Sequence, residues 1–227
     1  MRSFLIFLIA VSASLPMLIS RSNASKKSSG EKSDIVSQKI NTDTTTSPAF
    51  IFNKISQTQL TEGVLTLKEN STGTIRIYNF QNQEWLKVRL DSTAPDSLKS
   101  YSAYLDYQNL VFRVTRIEHD HYEVIVNEET GLTARIKKDE PSLRFQRWEQ
   151  HIPTVFSVDF DAEKNPVKQD TIKQARATYS NSVEFFYPVK INGDWLQVKW
   201  DDNVREKTGW VKWRKGNVLL VYLNYIA

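Results

Sequence analysis

His119-Asp120-His121, followed two residues later by Glu123, sets two imidazoles and a carboxylate at alternate positions. On an extended strand such positions share one side, and imidazole with carboxylate is a zinc-binding chemistry. A structural zinc site wants four ligands, and only three are in place, so a polar hairpin tip is the competing reading. Asp159, Asp161, Glu163 and Asn165 alternate oxygen donors as calcium loops do, but Lys164 stands where such a loop needs Gly. The sequence therefore predicts no metal site and no cofactor. No Gly-x-Ser-x-Gly, Walker loop or His-Glu-x-x-His occurs, and with no Cys there is no thiol nucleophile. No catalytic residue is assigned, and action through binding rather than catalysis is expected.

The aromatic residues are the remaining asset. Trp85, Trp195, Trp210 and Trp213 can present flat faces to a sugar ring or a peptide, or can fill a core; for Trp200 and Trp213 the core is the better reading. The candidate ligand-binding set is Trp195, Trp210, Tyr187, Lys199 and Trp85.

The elements that must carry these residues repeat a phrase. Glu84 to Leu90 (EWLKVRL) and Asp194 to Trp200 (DWLQVKW) are nearly the same segment, and Asp120 to Val126 (DHYEVIV) is a looser copy. The last two are each followed by Thr-Gly and another alternating run, Thr130 to Ile136 and Thr208 to Trp213. Period-two alternation recurs in Val64 to Leu67, Thr74 to Tyr78, Leu110 to Ile117, Val155 to Phe160, Val183 to Tyr187 and Val218 to Tyr222, predicting strands with one buried face. Asn192-Gly193 predicts a hairpin between Val189-Lys190-Ile191 and Trp195 to Trp200. On that hairpin Leu196, Val198 and Trp200 share one face, and Trp195, Gln197 and Lys199 the other. At least one Trp on each of the strands Trp195 to Trp200 and Trp210 to Trp213 is expected to be partly exposed. Leu98 to Leu105 reads equally as a short helix or a loop, and Asp170 to Thr178 as two helical turns.

Gly193 to Trp200 with Lys207-Thr208-Gly209-Trp210-Val211 resembles the core of the bacterial Src-homology-3-like domain, in which a Trp-led strand is followed by a turn and Thr-Gly-Trp-Val. The likeness covers residues 183–226 best. A degenerate copy covers 110–152, with His121 in place of the first Trp and Leu132 in place of the second. The resemblance implies an all-β fold of two tandem small antiparallel SH3-like barrels, 50–152 (with an N-terminal strand extension) and 153–227, Gly209 turning the chain into the next strand. It also implies cell-wall peptide or glycan as the ligand class. An envelope protein as partner, making the chain an assembly module, is the alternative.

The N-terminus reads as an export signal. Met1-Arg2 precedes an apolar run from Phe4 to Ile19 broken by Ser12, Ser14 and Pro16, and Ser22-Asn23-Ala24 supplies small residues for cleavage. Residues 1–24 are thus expected to leave, and 25–49, rich in Ser, Thr, Lys and Asn, to form a disordered tether. The expected location is the periplasm or the exterior, with no stable membrane span. Two of the four net positive charges lie at Arg2 and Arg21, and the rest of the chain has no concentrated basic footprint of a nucleic-acid binder.

Overall fold

The computed structural model describes residues 48–172, 176–177, 179, 183–201 and 205–227. The expected leader, most of the expected tether and part of the Asp170–Thr178 stretch lie outside them. In chain order the strands are β1 (Ile51–Phe52), β2 (Gly63–Leu67), β3 (Thr74–Tyr78), β4 (Glu84–Arg89), β5 (Ser102–Tyr104), β6 (Asn109–Ile117), β7 (His121–Asn127), β8 (Leu132–Lys137) and β9 (Leu143–Gln146). Helix α1 (Trp148–His151) follows, then β10 (Ser157–Asp159), β11 (Tyr187–Asn192), β12 (Trp195–Asp201), β13 (Glu206–Lys212), β14 (Arg214–Lys215), β15 (Val218–Leu219) and β16 (Tyr222–Asn224). The described residues are all-β apart from that one helical turn and two 3₁₀ turns.

The first nine strands build one antiparallel sheet along the path β4-β3-β8-β7-β6-β2-β9, with β1 beside β8 and β5 beside β6. β11, β12 and β13 form a separate three-stranded meander, β10 pairs with β16, and β14 with β15. Strand pairing closes neither the nine-stranded path nor the meander into a barrel among the described residues.

Two hydrophobic cores follow from the alternation. Leu65, Ile75, Ile77, Val88, Phe112, Val114, Val124, Val126 and Ile136 fill the first, on one face of the large sheet. The second gathers Leu196, Val198, Trp200, Val211, Trp213, Ile152, Val158 and Val221. It also draws Leu60, Val64, Val111 and Trp148 from the expected first domain. Strands β2 and β6 are therefore partitions: Leu65 and Phe112, cross-strand partners, enter the first core, while Val64 and Val111 enter the second. Each such aliphatic side chain taken out of water stabilises the fold by about 1.5–3 kcal/mol.

Several local expectations change. The two-residue loop of the β11–β12 hairpin is Gly193-Asp194, because Asn192 pairs with Trp195. Its positive φ falls at Gly193 (58°) alone, the sign pattern of a type II′ turn. Leu98–Leu105 is neither helix nor plain loop: Ser102–Tyr104 pairs with β6 and a 3₁₀ turn follows at Leu105–Tyr107. In the Asp170–Thr178 stretch, Arg176 makes an antiparallel bridge with Lys168, and residues 173–175 and 178 lie outside the described residues.

The two Thr-Gly pairs do different work. In β12–β13 Val198 lies opposite Gly209, and in β7–β8 the corresponding Val124 lies opposite Ala134. Gly131 is three residues earlier, in the turn, with φ 75°. Gly209 sits inside β13 and turns nothing. A Cβ there would fall 2.5 Å from Val167 Cγ1 and 2.9 Å from Lys168 O. Its lack of a side chain lets Lys168 lie against the strand and exchange both backbone hydrogen bonds with Trp210, at 2.7 and 2.8 Å.

Candidate functional site

The meander β11–β13 carries most of the aromatic set. Its inner face is Leu196, Val198, Trp200 and Val211, each at most 1% exposed. Period two then puts Trp195, Gln197 and Lys199 outward. Strand register lays three rows across this outer face: Asn192, Trp195 and Lys212; Lys190, Gln197 and Trp210; Tyr187, Lys199 and Thr208. Trp195 and Trp210 are thus diagonal neighbours on one face, both half-buried. Each indole already carries an ammonium, Lys212 Nζ 5.4 Å from the centre of Trp195 and Lys190 Nζ 5.9 Å from Trp210. Lys199 forms an exposed ion pair with Glu206 at 2.9 Å. Tyr187, opposite Lys199, meets Phe156 edge-on with centroids 5.7 Å apart.

The remaining tryptophans divide as burial dictates. Trp213 is fully buried, donates from Nε1 to Gly193 O at 2.9 Å and lies under the Arg214 guanidinium. Trp200 is buried against Tyr179 and Phe186. Trp85 does not join the candidate face. It is half-buried on β4, at one end of the large sheet, packs against the first core and meets Phe50 edge-on at 5.6 Å.

The metal-like motifs resolve into ordinary contacts. His121 is buried, pairs through Nδ1 with Asp120 at 2.8 Å and faces the Tyr78 ring edge-on. Glu123 accepts from Thr115 Oγ1 at 3.0 Å. The hydrogen bond from His121 holds the Asp120 carboxyl below the usual carboxylate range. Among the described residues no three His, Asp or Glu side chains converge for a metal. Asp161 accepts the backbone N–H groups of Glu163 and Lys164 and the Lys164 ammonium, closing a turn. Asn165 reaches instead to the Lys212 backbone, donating to its carbonyl at 2.8 Å and accepting from its N–H at 3.2 Å.

A buried polar cluster has no counterpart among the sequence motifs. Arg113 lies on the same side of β6 as Val111, facing the second core, and is wholly buried with Glu128. Its guanidinium grips both Glu128 oxygens and donates to the carbonyls of Ile55, Ser56 and Gln59. Three backbone carbonyls of the 55–59 segment and one carboxylate are thereby satisfied by one side chain. Tyr101 lies 5.6 Å beneath that guanidinium, its hydroxyl pushed up to about 12 by burial. Nearby, His151 Nε2 meets Tyr225 OH at 2.8 Å and Nδ1 meets Gln146 Oε1 at 3.3 Å. Burial, then the Arg144 charge, pulls His151 down to about 4, so it is neutral and serves as a structural link to the C-terminal strand. The only sequence signal was an arginine at an inward position of β6, which alternation alone reads as solvent-facing. No family model matches this chain, and neither a curated protein nor a solved structure is similar to it.

Proposed function

We propose that this chain is an exported, non-catalytic binding module of the bacterial envelope that recognises cell-wall peptide or glycan through the outer face of β11–β13. The observation that carries the reading is the pairing of Trp195 and Trp210 as half-exposed diagonal neighbours with Lys190, Lys199 and Lys212 around them. Indole faces stack on sugar rings, and the ammoniums complement the carboxylates of wall peptides. Kinship with SH3-like domains in residues 183–226 is part of the proposal; the three-stranded meander and its inward Leu196, Val198, Trp200 and Val211 support it. A second such unit at 110–152 rests on the β7–β8 hairpin, where His121 takes the place of the leading Trp.

Sedimentation with purified peptidoglycan tests the reading. The wild-type protein is expected in the pellet, and Trp195→Ala and Trp210→Ala in the supernatant. Wild-type protein that stays in the supernatant rejects it. The second reading, a protein-assembly module, is favoured by the exposed apolar run at β1, where Ile51 is 37% and Phe52 65% exposed. It predicts retention on envelope proteins but not on bare wall.

A further inference from the structure

A cleft of about 680 Å³ lies at the seam between the segment Ala94–Tyr104 and the residues from Leu219 to Ile226. Its first rim is tied together by backbone: Lys99 N donates to Val126 O at 3.0 Å and Glu128 N to Lys99 O at 2.7 Å. Asp96 and Glu129 are thus held on linked chain. The second rim, with Tyr222, is fixed by β16 on β10 and by Asn224, which donates to Ser157 Oγ and Asp159 Oδ2 at 3.1 and 3.0 Å. Tyr101 lines the cleft with its ring against Arg113, whose charge Glu128 neutralises.

Two features single out this lining. Its carboxylates Asp96 and Glu129 outnumber its lone cation Lys99, on a chain of net charge +4, and neither acid makes an ion pair among the described residues. Elsewhere the protein's aromatic rings take up its own cations: Lys212 on Trp195, Lys190 on Trp210, Lys137 on Tyr78, Lys138 on Tyr122. Among the described residues no ammonium lies over the ring of Tyr104 or Tyr222, 48% and 63% exposed, although Lys164 comes near enough to Tyr222 to feel its charge.

We infer that the cleft binds the primary ammonium of a lysine-type side chain on an extended peptide, with Tyr104 and Tyr222 offering ring faces and Asp96 and Glu129 the counter-charge. A cleft of this size takes several residues of peptide along with the ammonium, well beyond a lone ion. The site shares no residue with the proposed wall-binding face, so either can fail alone.

Calorimetric titration of the full chain with the tripeptide Ala-Lys-Ala, blocked at both ends, tests the inference against its Nε-acetyl-lysine twin and a glucosamine oligomer. Saturable binding of the free-amine peptide that weakens with added salt is expected, falling about tenfold or more on acetylation. Glu129→Gln, Asp96→Asn and Tyr222→Ala should each weaken it, while Trp195→Ala leaves it unchanged. Both acids are exposed, so their neutral variants keep the fold, which circular dichroism checks. Equal binding of the acetylated twin, binding of the glucosamine oligomer alone, or no saturable binding overturns the inference.

Discussion

The two hairpins β7–β8 and β12–β13 begin with similar words and end in different surroundings. β7 lies in the interior of a nine-stranded sheet, with neighbours on both edges, and the residue at its head, His121, is buried. β12 is the centre of only three strands, and its head, Trp195, is half-exposed. The same alternation thus serves a two-sided core in one region and a one-sided sheet with a free aromatic face in the other. Where both faces of a strand are covered, chemistry is forced inward and neutralised, as at Arg113 and Glu128. Where one face is free, aromatics and lysines stay at the surface, where we propose that they meet a ligand. Shared local phrases do not carry shared roles.

The covered region should be the more fragile. Glu128→Gln leaves the Arg113 guanidinium buried without its counter-charge, and we expect a loss of about 3–5 kcal/mol in urea unfolding. Ordinary denaturation of that variant at wild-type midpoint would show that the buried pair is not what ties residues 55–59 to the sheet.

His151 gives the next effect, and its sign is fixed by its lowered folded-state value. Between the usual 6.5 and about 4 the unfolded chain takes a proton that the folded chain refuses, so stability is full above pH 6.5 and falls as the pH drops towards 4. The loss should reach about 3 kcal/mol, and His151→Gln should flatten the pH profile of the melting temperature over that window.

Gly209→Ala sharpens the hairpin comparison. The added methyl collides with Val167 and the Lys168 carbonyl, and a cost of about 1–3 kcal/mol is expected, with weakened exchange protection at Trp210 N–H. Were Gly209 merely a turn residue, protection at Trp210 would be unaffected. The smallest effect belongs to the free face: Lys199→Ala removes an exposed ion pair with Glu206 and should change stability by less than about 1 kcal/mol, measured by thermal unfolding.

Much of this was legible because side-chain alternation survives wherever one face meets water. Thr74–Tyr78 and the inner face Leu196, Val198 and Trp200 were readable residue by residue. The strands at 51–52, 143–146 and 214–215 were not, since they are short and owe their form to a neighbour's open edge. Val218 to Tyr222 read as one strand, yet it splits between β15 and β16, which pair with different partners. Of the candidate site, Trp195 and Trp210 could be placed from period two alone. Trp85 could not, because its phrase gives the face of its strand but not the sheet the strand joins. Arg113, Glu128, His151 and Tyr225 meet only across distances in sequence that no local pattern spans.

The outer face of β11–β13 is the proposed ligand surface. The most direct measurement is a titration with muropeptides read at the indole N–H signals of Trp85, Trp148, Trp195, Trp200, Trp210 and Trp213. Progressive shifts are expected at Trp195 and Trp210, with the other four still. Shifts confined to the other four, or a spectrum that muropeptides leave untouched, would contradict it.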